Sequence, residues 1–293
     1  MHYVILLPVK NEENTIKGTI EKIVSKLKLN NKLSFLVISD SSDSTDEIVS
    51  KIENVKLLNG SNIGLGFSVL LGIKKAVKLS PDYIFIIDTD GQVDLDEIDI
   101  FIKESSENKN IDIFLSSRFL GKNLIKYDYP KINMLGTVIL KNIINLFTNF
   151  KVTDSHGGIR LFKKKVGERL KLIGDHTYVQ EFLIDASQNN FKVKEIPCKW
   201  LKREYGKSKV VSSILLYIFN VAPVLFIRLN LHKKLFYTLG FLGLFYFIYS
   251  LFIKNENFLT IFNISMLLLI SGYLLEAVKN VILYIKRDIS HND

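Results

Sequence analysis

The sequence predicts an α/β domain with a mostly parallel sheet, followed by helices at a membrane surface and then by a two-helix transmembrane hairpin. Two observations predict this arrangement. Short apolar runs alternate with amphipathic stretches through residues 1–210, which is the pattern of strands and crossover helices in a parallel sheet. Two long uncharged runs then occupy residues 235–253 and 258–275, and about 18 to 20 apolar residues are enough for a helix to cross a bilayer.

The predicted strands and helices follow one another closely. The apolar runs at residues 3–7, 34–38, 55–58, 83–87 and 113–115 are expected to be strands. The stretches 13–27, 44–52 and 67–79 are expected to be helices, the first with Ile16, Ile20, Ile23 and Val24 on one face. In open parallel sheets, ligands bind at the C-terminal ends of the strands. The residues just after each strand are therefore the candidates for a functional site.

The overall composition limits the classes of partner. The chain has 293 residues, of which 24% are charged, and a formal net charge of +9. A basic chain favours acidic partners, but its lysines and arginines are spread out, without the basic run typical of nucleic-acid binding. We therefore expect phosphorylated substrates and lipid head groups rather than nucleic acid. The single cysteine, Cys198, has no partner for a disulfide within the chain.

The flanks of the two apolar runs predict their orientation. Basic residues lie on the outer sides of the pair, at positions 228, 233, 234, 279, 286 and 287, and such residues favour the cytoplasmic side. We therefore expect a cytoplasmic catalytic domain at 1–210, interfacial amphipathic helices at 211–234, a hairpin at 235–285 and a cytoplasmic tail at 286–293. Two buried helices of a soluble protein are the alternative. Pairing of the spans in a homo-oligomer is also open.

The sharpest chemical signal follows the strand predicted at residues 83–87. Asp88, Asp90 and Gln92 alternate after it, and alternate residues of an extended segment point to the same side. Carboxylate and amide oxygens suit Mg²⁺ or Mn²⁺, which also bridge phosphates. The segment therefore predicts a metal-assisted phosphate site. A polar turn that only ends the strand is the alternative.

Polar and glycine-containing segments after the other strands are further candidates. They are Pro8 with Asn11 and Glu12, the Ser/Asp loop from Asp40 to Thr45, Gly64-Leu65-Gly66, Ser117-Arg118, the turn from Asp154 to Arg160, and Gln180-Glu181. Asn11 is expected to cap the helix that follows it, and the glycines allow close approach of a ligand or another backbone. His156 is not assigned as a base, because a lone histidine is more often structural. Glu181 is a candidate to face an acceptor or to complement a helix N-terminus.

The segment just before the membrane region is rich in cations. Arg203, Lys207 and Lys209 lie within seven residues around Gly206. This arrangement suits a flexible clamp over a diphosphate or a contact with lipid phosphates. A solvated basic linker is the alternative.

Taken together and in order, these motifs resemble the family 2 glycosyltransferases with a GT-A fold. The resemblance is strongest to the branch of polyprenyl-phosphate glycosyltransferases that includes the dolichyl-phosphate mannose and glucose synthases. It covers roughly residues 3–212 and depends on the segments named above other than Gln180-Glu181, followed by the hairpin. It implies inverting transfer of a hexose, mannose or glucose, from a GDP- or UDP-sugar to a membrane polyprenyl phosphate.

The resemblance also implies roles for individual residues. The nucleotide-sugar would contact Pro8, Val9, Asn11, Glu12, Asp40, Asp88, Thr89, Asp90, Arg203 and Lys209. Mg²⁺ or Mn²⁺ would be held by Asp88, Asp90 and Gln92, and the acceptor phosphate by Arg118 and Lys131. The catalytic residues would be Asp90, Arg118 and Arg203. A lipid monophosphate is already ionised, so charge neutralisation and in-line positioning would carry most of the catalysis.

Other functions stay open at the level of sequence. A processive polysaccharide synthase usually carries a Gln-x-x-Arg-Trp motif, whereas the only tryptophan, Trp200, follows Cys198-Lys199. A transferase acting on protein or on lipid A, a non-catalytic membrane scaffold and a nucleotidyltransferase are the remaining alternatives. The combination of Asp88, Asp90 and Gln92 disfavours the scaffold.

Overall fold

The computed structural model describes residues 1–27, 31–203, 205, 214–253 and 256–292, with side chains described outside 214–216 and 287–292. The chain divides into two compact units, Met1–Tyr217 and Ile218–Asp293. The first unit contains the predicted α/β domain. The second contains the two long apolar segments.

The first unit is built on a seven-stranded sheet. Its strands are β1 (His2–Val9), β2 (Lys32–Ser39), β3 (Val55–Asn59), β4 (Tyr83–Ile87), β5 (Ile113–Ser117), β6 (Ile159–Lys163) and β7 (Val193–Pro197), in the spatial order β3-β2-β1-β4-β6-β5-β7. Neighbouring strands are parallel except that β6 runs antiparallel to both β4 and β5. The predicted, mostly parallel sheet is thus confirmed. Its inner strands β1, β4 and β5 are buried almost throughout, in keeping with the apolar runs they contain.

Helices cover the sheet. They are α1 (Ile16–Leu27), α2 (Thr45–Ser50), α3 (Leu65–Lys78), α4 (Ile98–Glu107), α5 (Lys131–Phe147), α6 (Lys164–Arg169) and α7 (Val179–Gln188). In α1 the side chains of Ile16, Ile20 and Ile23 are buried in the core, which confirms the predicted apolar face. One prediction needs correction at β1. The strand predicted at residues 3–7 continues through Pro8 to Val9, because from Leu7 onward β1 pairs only with β2, and a residue without an N–H is tolerated there.

The C-terminal segment is helical. Helix α8 (Ile214–Arg228), with Pro223 inside it, covers much of the region predicted as interfacial, and α9 (Leu231–Phe252) and α10 (Phe258–Asn292) follow. Among the described residues, two helical stretches, Leu231–Phe252 and Phe258–Lys286, are long and apolar enough to cross a membrane. Within this unit α9 and α10 pack together closely, since a side chain at Gly240 would meet Leu269 at 2.7 Å. Glu276 joins them by an ion pair to Lys233 and by a contact of 3.1 Å with Nε2 of His232, both on α9.

Candidate active site

A cleft of about 310 Å³ opens at the C-terminal ends of β1, β2 and β4, where ligands bind in sheets of this kind. It brings together most of the residues that sequence predicted for a nucleotide-sugar, namely Pro8, Val9, Glu12, Asp40, Asp88, Thr89, Asp90 and Arg203. These side chains come from segments that are far apart in the sequence, and the parallel strand order is what gathers them. Lys209 lies outside the described residues.

Asp88 and Asp90 form the acidic wall of this cleft. The Asp88 N–H donates to the Gly158 carbonyl at 3.0 Å, which continues the pairing between β4 and β6 past the end of the strand. Burial, together with the charge of neighbouring Asp90, raises the pKa of Asp88 well above the ordinary range of an aspartate. Two carboxylates forced together in this way favour a cation between them.

The donor set at this wall fits a divalent metal that also binds phosphates. The described part of the chain has no group of three or more His, Cys, Asp or Glu side chains that could enclose an ion by themselves. Asp88 and Asp90 therefore offer one or two carboxylates, and the remaining ligands would be phosphate oxygens and water. Mg²⁺ characteristically binds in this way. The predicted pair of aspartates is thus compatible with Mg²⁺ or Mn²⁺.

Gln92 and Arg203 both contact Asp90. The Arg203 guanidinium forms an ion pair with the Asp90 carboxylate, and the Gln92 backbone N–H donates to Asp90 Oδ1 at 3.1 Å. The Gln92 amide is oriented so that both its oxygen and its nitrogen form hydrogen bonds. In this orientation Oε1 accepts from the Trp200 indole N–H at 3.2 Å, and Nε2 donates to Asp90 Oδ2 at 3.3 Å. Gln92 thus supports Asp90. Its ligation of a metal stays a prediction, one that requires its oxygen to leave Trp200.

The opposite end of the cleft is organised around Asp40. Its Oδ1 accepts from the Asn62 N–H at 2.7 Å and its Oδ2 from the Ser68 hydroxyl at 2.5 Å. Neighbouring Glu12 is buried, and its backbone N–H donates to Thr45 Oγ1 at 2.8 Å. The loops after β1, β2 and β3 are therefore tied together around this carboxylate.

The structure corrects the role predicted for Asn11. Helix α1 begins at Ile16, too far along the chain for Asn11 to cap it. Asn11 instead adopts a left-handed conformation, with φ of 55°, and its Oδ1 accepts from the Ser42 N–H at 2.7 Å. It connects the loops after β1 and β2 and does not line the cleft.

Arg118 lies in a buried ion pair. Its Nε and Nη2 donate to the two carboxylate oxygens of Asp154 at 2.7 and 2.9 Å, and the two residues are only 6% and 1% exposed. The aromatic ring of Trp200 lies 4.9 Å from the guanidinium carbon. Although burial opposes ionisation, the guanidinium keeps the pKa of Asp154 below its ordinary value. Neither Arg118 nor Lys131, the first residue of α5, lines the cleft, so the acceptor-phosphate site stays a prediction.

Two candidate acid–base residues have structural partners. Burial lowers the pKa of His156 to about 4, and its Nε2 lies 2.7 Å from Gln180 Nε2 and 3.2 Å from the Tyr217 hydroxyl. The carboxylate of Glu181 accepts backbone N–H groups of Ile173 and Gly174 at 2.8 and 2.6 Å. His156 is thus surrounded by Gln180 and Tyr217, and Glu181 holds the loop at Ile173 and Gly174 in place.

The glycine motif after β3 accommodates protein backbone. A side chain at Gly64 would meet the Asp175 carbonyl at 2.4 Å, and one at Gly66 would meet the Gly174 carbonyl at 2.7 Å. The approach of another backbone, one of the two alternatives in the sequence, is therefore the one observed. This packing carries His176 into the cleft. The sequence offered no signal for His176, because it belongs to no motif and its loop is far from β3 in the chain.

Comparisons with known proteins point to one family. The model of the family "Glycosyl transferase family 2" matches residues 4–170. An uncharacterized protein of Methanocaldococcus jannaschii is 31% identical over 211 residues, which cover 70% of this chain and 84% of that protein. A UDP-N-acetylglucosamine–dolichyl-phosphate N-acetylglucosaminyltransferase of Methanococcus voltae is 26% identical, with 70% of this chain and 88% of that protein covered.

Solved structures support the fold. Glucosyl-3-phosphoglycerate synthase from Mycobacterium tuberculosis, in complex with Mn²⁺, UDP-glucose and phosphoglyceric acid, superposes with a TM-score of 0.58 at 14% identity, covering 78% of this chain and 79% of that one. At this identity the likeness shows the fold alone, which is the predicted GT-A fold. The family match spans more than half of the chain, and the chain therefore belongs to glycosyltransferase family 2 and is a glycosyltransferase.

Proposed function

We propose that this enzyme transfers a sugar, with inversion, from a UDP- or GDP-sugar to a polyprenyl phosphate such as dolichyl phosphate in a membrane. The observation that carries the proposal is that one chain combines the cleft around Asp88, Asp90 and Arg203 with two helices of membrane-spanning length. The name of the Methanococcus voltae relative, which specifies a dolichyl-phosphate acceptor, supports it. The sugar is a hexose such as mannose or glucose, or the N-acetylglucosamine named for that relative.

The proposed reaction needs no general base. An oxygen of the lipid phosphate attacks the anomeric carbon, the bond from that carbon to the diphosphate oxygen breaks, and the nucleoside diphosphate leaves. A phosphate monoester is largely ionised at neutral pH, so no proton has to be removed from the nucleophile. This chemistry suits a site in which His156 and Glu181 are already engaged by Gln180 and by backbone N–H groups.

The residues of the cleft then serve to hold and neutralise the donor. Bound Mg²⁺ or Mn²⁺, held by Asp88 and Asp90, would supply stabilisation of the charge on the departing diphosphate. Arg203 lies beside Asp90 and would bind phosphate oxygens by charge-assisted hydrogen bonds. Pro8, Glu12 and Asp40 would contact the nucleoside. Lys209 would bind the donor phosphates as well. The acceptor phosphate would be bound by Arg118 and Lys131.

One surface of the first unit has the apolar and basic composition expected of a surface that binds a membrane. Helix α5 exposes apolar side chains along its length, namely Ile132, Met134, Leu135, Val138, Ile139 and Leu146. It contains two lysines, Lys131 and Lys141, and no acidic residue. An apolar face with basic neighbours is typical of helices that lie at the boundary between lipid head groups and acyl chains. We therefore propose that α5 rests on the cytoplasmic membrane surface, with 235–253 and 258–275 as spans.

Spin labelling should detect the contact of α5 with lipid. Cys198 is buried and burial raises the pKa of its thiol, so a cysteine introduced at an exposed position is labelled selectively. In proteoliposomes containing anionic lipid, a nitroxide at Ile139→Cys should be readily accessible to oxygen and poorly accessible to a polar nickel chelate. The matched label at Glu21→Cys, on the exposed side of α1, should show the reverse. Equal nickel accessibility at the two positions would contradict the contact.

The proposed function is tested by a donor screen. Membranes containing the full chain are incubated with labelled UDP-glucose, UDP-N-acetylglucosamine or GDP-mannose, with and without added polyprenyl phosphate. With one donor, label should enter a lipid fraction that mild acid releases, and EDTA should abolish this incorporation until Mg²⁺ or Mn²⁺ is restored. Absence of labelled lipid with every donor would refute the proposal.

A further inference from the structure

His176 is a polar side chain of the donor cleft that lies outside the predicted site. It sits on the loop between α6 and α7 and lines the cleft together with Asp88 and Asp90. Its Nε2 is buried, and within the described part of the chain no group hydrogen-bonds to it. A buried polar atom left unpaired costs about 1–3 kcal/mol, and such atoms are rare in folded proteins. A ligand in the cleft is the natural partner for this nitrogen.

The backbone on the N-terminal side of His176 is fixed from two directions. The Glu181 carboxylate accepts from the N–H groups of Ile173 and Gly174 at 2.8 and 2.6 Å. From the other side, the Gly66 N–H donates to the Asp175 carbonyl at 2.7 Å. Because both contacts lie within three residues of His176, the imidazole is held in place before a ligand arrives, which lowers the entropic cost of binding.

The ring of His176 is also supported by a second ring. Tyr217 packs edge-on against it, with 5.8 Å between ring centroids. The Tyr217 hydroxyl in turn accepts from Gln180 Nε2 at 3.0 Å and lies 3.2 Å from His156 Nε2. The groups next to the His176 ring are therefore a hydroxyl, an amide and an imidazole. Lys10 and Arg203 are the cations among the described residues that line this cleft, and Arg203 pairs with Asp90.

We propose that Nε2 of His176 hydrogen-bonds a hydroxyl or acetamido group of the donor sugar and thereby contributes to the choice of sugar. The inference rests on the proposed function, since it requires a nucleotide-sugar in the cleft.

The donor sugar is favoured over the phosphates as the partner of His176. Uncharged polar groups, such as those of Tyr217 and Gln180 next to this ring, recognise hydroxyl and amide groups, whereas phosphates are bound by cations. The matching nucleoside diphosphate, measured alongside the nucleotide-sugar, distinguishes a contact with the sugar from one with the nucleoside.

Binding measurements on two variants test this assignment. The full chain in detergent is titrated with UDP, GDP, UDP-glucose, UDP-N-acetylglucosamine and GDP-mannose. His176→Phe keeps a ring against Tyr217 but removes the nitrogen, and should weaken binding of the preferred nucleotide-sugar about three- to tenfold, the usual effect of one lost hydrogen bond. Its affinity for the matching nucleoside diphosphate should stay within about twofold of wild type, as expected when no bond to the nucleotide is lost. His176→Gln, which can place an amide nitrogen near Nε2, should restore most of the loss.

The outcomes separate the inference from the proposed function. If wild type binds a nucleotide-sugar and His176→Phe binds it equally well, the role of His176 is refuted while the proposed function stands. Equal weakening of nucleotide-sugar and nucleoside diphosphate would also refute it, because the contact would then lie on the nucleotide or the loop would have moved. If wild type binds none of the five compounds, the proposed function itself fails, and this inference with it.

Discussion

Replacing Asp90 with alanine is expected to lower sugar transfer by about a thousandfold or more, the scale seen when a group that stabilises developing charge is removed. Asp90 carries the outer carboxylate of the acidic wall, and it is also the partner of Arg203 and of the Gln92 N–H. Its loss would remove one metal ligand and release two neighbours from their positions. The rate of lipid labelling, measured in membranes at saturating Mg²⁺ or Mn²⁺, is the appropriate readout.

A nearby acid provides the control for this variant. Asp96 follows Asp90 by six residues but lies on the surface, where it pairs with Lys22 and Lys26. Asp96→Ala should therefore transfer sugar at the wild-type rate, since exposed ion pairs contribute little. Both variants should insert into membranes like wild type. A wild-type rate for Asp90→Ala would remove the proposed role of the acidic wall.

The largest effect on stability is expected at Asp154. Asp154→Ala should lower the free energy of unfolding by about 3–5 kcal/mol, because it leaves the buried Arg118 guanidinium without its counter-charge. It also removes the acceptor for the backbone N–H groups of Arg118 and His156. Urea unfolding followed by tryptophan fluorescence measures this change directly, because the only tryptophan, Trp200, lies against Arg118.

Two further variants decide whether the buried charge is the cause. The double change Arg118→Met with Asp154→Leu should recover much of the lost stability, since an apolar pair of similar volume often replaces a buried ion pair without penalty. Lys51→Ala, which breaks the exposed pair with Glu47, should cost less than about 1 kcal/mol. A double variant as unstable as Asp154→Ala would show that the lost acceptor of the two backbone N–H groups, and not the unpaired charge, controls the stability of this region.

The same pair predicts a pH dependence of stability. The pKa of Asp154 is lower in the folded protein than in the unfolded chain, where an aspartate titrates near about pH 4. The stabilisation is therefore fully present above that pH and is lost as the pH falls through the folded value. Below about pH 4 the difference in stability between wild type and Asp154→Ala should shrink.

The sequence was informative wherever a local pattern determines the structure. The apolar run of β4 followed by Asp88, Thr89 and Asp90 predicted both a buried strand and an acidic strand end, and the structure places that end in the cleft described above. The alternation of strands and helices similarly predicted the parallel order that brings Asp40 and Glu12 to the same edge. These features depend on neighbours in the chain and on the general behaviour of parallel sheets.

Features that depend on contacts between distant loops could not be predicted in the same way. The sequence did not predict the ion pair of Arg118 with Asp154, 36 residues later, and the binding of phosphate by Arg118 stays a prediction. Asn11 was expected to cap a helix, yet Ser42, in a different loop, takes its side-chain oxygen. His176 enters the cleft only because Gly64 and Gly66 admit a remote backbone. In each case the residue type allowed several partners, and the tertiary structure selected one.

The identity of the product tests the central claim most directly. Proteoliposomes containing the full chain are supplied with the active nucleotide-sugar and equal concentrations of polyprenyl phosphate and phosphoglyceric acid, the compound bound in the structural neighbour. Mass spectrometry should detect one sugar residue joined to the polyprenyl monophosphate, with release of the nucleoside diphosphate. A sugar on phosphoglycerate, or a lipid carrying a diphosphate link, would contradict the proposed transfer to a lipid phosphate.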